Sequence, residues 1–433
     1  MLSELFLCLS IATGENSIYG GWKGIQGDAT GFFHTQEING VHWLIDPDGY
    51  AFISKGVNHV SYTADNAPSL GYSPYGKVAA EKYGSADAYA KASVERLKNW
   101  GFNTIGAWSG HETFKQKIPY TLIIDLGGSA GGNWQSGSFP DVFSDEFRQS
   151  VFRVAKERCM PFRDGRFLIG YFTDNELRWG PDWRSTQGLF ADFWEMPANT
   201  TGKKAAVSFL EKYYETIEKF NATYGTRFIS FDEVITALKE SKPSPQTEEL
   251  RLLESGFLRL VAAQYFKVCA DAIREYDPNH LILGCRYAGY APEEVVQSMG
   301  DNVDIVSYNN YDFHAPVQKL QQIHAWTGKP VMLTEFSFKA MDSGLPNTRG
   351  AGQPVKTQQD RADNFDTYVT ELIKLPYAVG FHWFEYADEP AEGRFDGENS
   401  NYGLVNIKDE TWETLTKRMC EVNTRLEAIH SGN

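Results

Sequence analysis

Two stretches of the chain end an apolar run in a carboxylate. Leu168 to Trp179 reads LIGYFTDNELRW, a predicted buried strand followed at once by Asp174, Asn175 and Glu176. Val331 to Phe338 reads VMLTEFSF and has the same shape, with Glu335 at its end. Two carboxyl groups facing each other across a sugar can split a glycosidic bond. With retention, one carboxyl protonates the leaving oxygen while the other, ionised and roughly 5–5.5 Å away, attacks the anomeric carbon. Their surroundings must push the two pKa values apart. Glu176 fits the acid/base and Glu335 the nucleophile, with Asn175 placed to hydrogen-bond a sugar hydroxyl. A single glutamate at a strand end reads as readily as a helix cap or ion-pair partner; it is the pair that points to catalysis.

The elements that must hold this pair alternate along the chain. AFISKGVNH is the first strand without polar alternation and ends in Asn58 and His59; FNTIGAW follows and ends at Trp108; YTLIIDL is third and LIGYFTDNE fourth. LILGCRYAG carries Arg286, DIVSYNNY carries Tyr308, Asn310 and Tyr311, VMLTEFSF carries Glu335, and VGFHWFEYAD carries Trp383, Glu385 and Asp388. Between them lie helical patterns such as the Ser85-capped SADAYAKASVERLKNWG and the Ser144-capped SDEFRQSVFRVAKERCM. Eight buried strands alternating with helices predict a (β/α)8 TIM barrel, whose active site is built at the carboxyl ends of the strands. The first strand has no GxGxxG turn, which argues against an open nucleotide-binding sheet. Arg286 is placed to hold a carboxylate ionised, or equally to pair with a structural one. Tyr311, or else Tyr308, is placed to hydrogen-bond Glu335. Trp383 is read as a platform under the reacting sugar or else a core residue, Asn58, His59, Trp108 and Asn310 as substrate-binding residues, with loop packing the alternative for His59 and Trp108, and Asp174 as orienting Arg286 or a backbone amide.

Around this frame the sequence predicts a small N-terminal β-hairpin lid, with HTQEI and VHWLI joined by Asn39-Gly40. It also predicts a mobile loop in GGSAGGNWQSGS and a helical insertion after strand 4, from about Pro181 to Asp277. Residues 21–433 are read as one catalytic domain. Residues 1–20 are read as a leader, with an apolar stretch of signal-peptide length but Glu4 in place of a basic start, which makes the expected location secreted or periplasmic.

Composition narrows the partners. The formal net charge of −15 argues against nucleic acid and anionic membrane surfaces and favours a neutral polysaccharide or oligosaccharide. Packing a large core accounts for most of the 11 Trp and 22 Tyr, which also supply flat faces on which sugar rings stack. The five cysteines, Cys8, Cys159, Cys269, Cys285 and Cys420, have no ligand-like spacing, and strand 1 lacks the HxH of a metal-dependent barrel hydrolase. No metal and no cofactor is expected. The oligomeric state is not readable.

The arrangement resembles clan A of the glycoside hydrolases, in which acid/base and nucleophile end strands 4 and 7. YFTDNE, LTEFSFKAMDSG and above all GFHWFEYADEPAEGRFDGENSNYGLVN resemble the β-agarase family, glycoside hydrolase family 50, from about residue 40 to the end. The resemblance implies Glu176 as acid/base and Glu335 as nucleophile. It also implies a sugar-binding rim near Trp383, Glu385, Asp388 and Asp396. The expected activity is a retaining, agarase-like β-galactoside hydrolase. The alternatives are another clan-A β-glycosidase of β-galactosidase or β-glucanase type, or a barrel that binds glycan without turnover.

Overall fold

The structure is a computed structural model that describes residues 16–236, 248–289 and 291–432. Most of the leader, Cys8 included, lies outside the described residues.

Four short antiparallel strands come first: β1 (Trp22–Gln26), β2 (His34–Ile38), β3 (Val41–Ile45) and β4 (Tyr50–Phe52), in the order β1-β4-β3-β2. The β2–β3 hairpin turns on Asn39 and Gly40, at φ 55° and 79°, the two left-handed residues that a tight hairpin turn requires. The predicted hairpin is therefore half of a larger sheet, and its place differs from a lid. Phe33, Leu44 and Phe52 pack against Ile169, Leu281, Ile305, Met332 and Val379, residues at the amino ends of the barrel strands. The sheet plugs the bottom of the barrel and leaves the carboxyl-end face free.

The barrel strands are β5 (Ser54–Val57), β6 (Thr104–Ile105), β7 (Tyr120–Ile123), β8 (Leu168–Phe172), the split pair β9 (Leu281–Ile282) and β10 (Tyr287–Ala288), and β11 (Val306–Asn309) and β12 (Val331–Glu335). A parallel two-strand pair, β13 (Phe338–Ala340) and β14 (Gln353–Val355), covers the exit of β12, and β15 (Ala378–Trp383) completes the set. The large sheet runs β10-β11-β12-β15-β5-β6-β7-β8-β9, with every pairing parallel. Its two edges, β9 and β10, are halves of one segment. The Asp304 and Ile305 amides also donate to the Ile282 carbonyl, at 2.9 and 3.3 Å. The sheet thus closes on itself through the fifth strand, as an eight-stranded barrel does.

Helices follow the predicted caps. Ser85 and Ser144 accept from the Ala88 and Phe147 amides and open helices Ala86–Asn99 and Asp145–Arg158. The insertion after β8 is helical, with Leu189–Glu195, Thr201–Tyr214, Ile217–Tyr224 and Phe231–Ile235 preceding the long Glu248–Tyr276 helix. Among the described residues no helix is long and apolar enough to cross a membrane, and the four described cysteines are buried and in no disulfide.

Candidate active site

The carboxyl ends of β5 to β8 and of the β9–β10 segment share a backbone feature. His59, Trp108, Asp125, Glu176 and Arg286 all have positive φ, between 49° and 59°. None is glycine, and the left-handed conformation costs a side-chain-bearing residue about 1–2 kcal/mol. Such strain persists where the surroundings over-determine it and gathers at functional sites. Here neighbouring strands fix the turns, with the His59 amide on the Ala107 carbonyl and the Glu176 amide on the Arg286 carbonyl. His59, Trp108, Asp125 and Glu176 line a cleft of about 1040 Å³ at the barrel mouth, while Arg286 is buried.

Glu176 and Glu335 both line this cleft and are nearly buried, at 8% and 4% exposure. Their partners differ in kind. Glu335 Oε1 lies 2.5 Å from Arg286 Nη2, and its Oε2 accepts from the Tyr311 hydroxyl at 2.7 Å. Glu176 meets only neutral donors: Asn309 Nδ2 on Oε1 and the Trp134 indole on Oε2, each at 2.9 Å. Burial pushes the Glu335 carboxyl up to about 7; Arg286 opposes that rise, Glu176 adds to it and Tyr311 opposes it. Arg286 is fully buried, with its guanidinium 4.4 Å from the Trp108 ring and 5.1 Å from the Phe172 ring. Nη2 also donates to the Thr334 carbonyl at 3.0 Å, which ties the cation to β12.

Asp174 lines the cleft but does not hold Arg286; of the two roles read for it, its contacts fit the backbone-amide one. Its oxygens accept from the Gly127 and Gly128 amides at 2.8 and 2.9 Å and from the Tyr265 hydroxyl. It therefore anchors the start of the glycine-rich loop that carries Trp134. Arg178 and Arg184 clamp the far side of that loop through the Gly137 and Trp134 carbonyls.

His59 pairs with Glu385 at 2.5 Å and lies 3.5 Å from Asp65. Burial lowers the His59 pKa, but Asp65 and Glu385 outweigh that and raise it to about 9. Ligand-type atoms of His59, Asp65 and Glu385 lie within 4.8 Å of one another. The group is nevertheless poorly suited to a divalent cation, because Arg394 comes within 4.0 Å of Asp65 and a proton already bridges His59 and Glu385.

Of the other sequence-predicted residues, His59, Trp108, Asn175, Asn310 and Tyr311 line the cleft. The Asn310 side chain is occupied by Asp312 and Tyr368. Several do not reach the cleft as read. Asn58 is fully buried and spends its amide on the Thr334 carbonyl and the Ala107 amide, cross-linking strands. Tyr308 turns away from Glu335 and donates to the Gly289 carbonyl. Trp383 is not a platform. It is fully buried against Phe336, Phe338 and Phe365, with its indole on the Tyr402 carbonyl. Alternation along the strand turns the next residue, Phe384, into the cleft instead. Glu385 sits behind His59. Asp388 is consumed by Asn401, the Gly403 amide and the Trp412 indole, and Asp396 pairs with Arg394.

Sequence reading missed Asn309 and Trp134, the two donors on Glu176. Asn309 was hidden among the polar residues of SYNNY, and Trp134 is the one aromatic in a glycine-serine loop, a signal that could have found it.

The chain matches the family profile Glyco_hydro_42, described as beta-galactosidase, over residues 128–360. It is 27% identical to beta-agarase B of Vibrio sp. (strain JT0107) over 94% of this chain and 49% of that protein. To beta-agarase A of the same strain it is 29% identical, over 90% of this chain and 45% of the relative. It spans about half the length of these two curated relatives. A solved exo-beta-agarase superposes with a TM-score of 0.87 and 26% identity, over 100% of this chain and 71% of that one.

Proposed function

The chain belongs to the Glyco_hydro_42 family of glycoside hydrolases, and from that premise we propose that it hydrolyses β-galactoside bonds of a neutral galactan, agarase-like, with retention. The observation that carries the reading is the asymmetry between the two carboxylates. Glu335 is gripped by a guanidinium and a phenol, the setting of a group that works ionised. Glu176 is held by two neutral donors and faces the same cleft.

In the first step Glu335 forms a bond to the anomeric carbon as the glycosidic bond breaks, and Glu176 gives its proton to the departing oxygen. In the second, Glu176 takes a proton from water, whose oxygen displaces Glu335 from the sugar. Arg286 and Tyr311 hold the nucleophile in line, and Asn175 and His59 are donors for sugar hydroxyls. No cofactor enters this scheme. A polymeric substrate also fits the expectation that the protein works outside the cytoplasm.

The family description favours a second reading, a β-galactosidase acting on small β-galactosides. A panel of agarose, porphyran, β-galactan, β-glucan and an aryl β-galactoside separates the two, and agarose inertness alongside activity on the aryl galactoside would select the second. Proton NMR of the first anomer released tests retention. Glu176→Gln and Glu335→Gln should each lower turnover roughly 10³-fold or more, and full activity in either variant would sink the assignment.

A further inference from the structure

Trp183 stands on the segment that follows the acid/base candidate, and nothing in the two-carboxylate scheme uses it. It lines the cleft, yet the residue is 62% exposed. An exposed tryptophan on a loose loop would be unremarkable, but this one is fixed. The Arg184 guanidinium lies 4.3 Å from the ring centre and backs one face. Arg184 is itself nearly buried and held at four points. It makes two bonds to Asp182, at 3.0 and 2.6 Å, one to the Trp134 carbonyl at 2.9 Å and one to the Glu176 carbonyl at 2.8 Å. The ring is thus a rigid slab with one face covered and tied to the backbone of Glu176.

Position assigns the side of the cleft. Glu176 protonates the leaving oxygen, so its own segment flanks the leaving-group half of the substrate. Exposure rises from 8% at Glu176 through 36% at Trp134 to 62% at Trp183, all three lining the cleft. We propose that Trp183 is the platform of an outer, leaving-group-side subsite for a sugar ring of a galactan chain, held ready by Arg184. A preorganised flat face binds a pyranose without the cost of ordering a side chain. The site would therefore reward substrate length beyond the ring next to the scissile bond. This inference rests on the assignment of Glu176 as acid/base.

The test is calorimetric binding of an agarose-derived oligosaccharide series, from disaccharide to octasaccharide, to Glu335→Gln and to Glu335→Gln/Trp183→Ala. We expect affinity to rise with length in the first and the gain to fall about tenfold in the second, with Trp183→Phe keeping most of it. Equal length dependence in the two proteins, or no binding by either, overturns the proposal. Arg184→Met, which leaves the indole present but unpinned, should lose part of the gain. Hydrolysis by the wild type is scored separately. Inert wild type with intact, Trp183-dependent length selection supports the platform while refuting the catalytic reading.

Discussion

The Trp134 indole nitrogen lies 2.9 Å from Glu176 Oε2, so a residue from the glycine-rich loop after β7 holds the acid/base candidate just beyond β8. The bond spans two elements, and Asp174 reinforces it by fixing the start of that loop only two residues before Glu176. Trp134→Phe keeps the ring and removes the donor. The acid then loses one of its two orienting contacts, and kcat should fall about tenfold. The fall should be steeper for sugar or alkyl leaving groups than for nitrophenyl, because only the former need protonation. Equal losses across a leaving-group series would refute the role.

Glu335 sets an expected pH dependence. Burial raises its carboxyl to about 7, and attack needs the ionised form. A carboxylate with a raised pKa is competent above that value and is lost as pH falls through it. The acid limb of kcat/KM, which reports the free enzyme, should therefore bend near pH 7. Tyr311 donates to Oε2 and lowers the pKa, so Tyr311→Phe should move that limb to higher pH. A limb that stays in place in the variant would remove Tyr311 from the account.

Arg286 does two things at once, bonding the Thr334 carbonyl and Glu335 while stacked between Trp108 and Phe172. A lysine offers a point charge without the planar fork. Arg286→Lys should lower kcat/KM about 100-fold and also raise the acid limb. Retention of wild-type kcat/KM in a folded variant, checked by circular dichroism, would contradict this.

The barrel was legible because its strands are buried on both sides and read as apolar runs, and because the serine caps mark helix starts by local chemistry. The fifth strand shows where such reading stops. LILGCRYAG reads as one run, but Gly284, with φ 83°, separates two short pieces that pair with different neighbours. Glu176, Glu335, Arg286 and Tyr311 were picked out because each stands at or just beyond the end of a predicted strand. Trp383 and Phe384 were exchanged because a one-residue change of face at a strand end depends on the local bend, which no pattern of residue types encodes. The left-handed backbone at His59, Trp108, Glu176 and Arg286 was equally out of reach, since tertiary hydrogen bonds impose it on residues that do not favour it. Asn309, at the end of β11, and Trp134, on a loop, act through contacts between segments far apart in sequence. The N-terminal sheet was recognised by its turn but not placed, because its apolar face carries no mark of which end of the barrel it covers.

Asp409 provides a test of stability apart from the cleft. Its carboxylate is fully buried after β15, at φ 59°, and accepts from Tyr75, Tyr83, Lys82 and Arg96. It thereby ties helices Pro74–Tyr83 and Ala86–Asn99 to the chain that follows the last barrel strand. Burial alone would raise its pKa, but the bonds from Arg96, Lys82 and Tyr83 outweigh that and hold it below the usual range. A carboxylate with a depressed pKa contributes stability above its unfolded pKa, about 3.9, and loses it as pH falls through the folded value. Asp409→Ala leaves two cations facing a partly buried void and should cost about 3 kcal/mol at pH 7. The difference from wild type should begin to shrink below about pH 4, where the unfolded carboxylate takes up its proton, and go on shrinking as pH falls towards the lower folded value. Thermal unfolding of both proteins from pH 3 to 8 measures this, and a constant difference across the range would show that Asp409 acts by packing and not by charge.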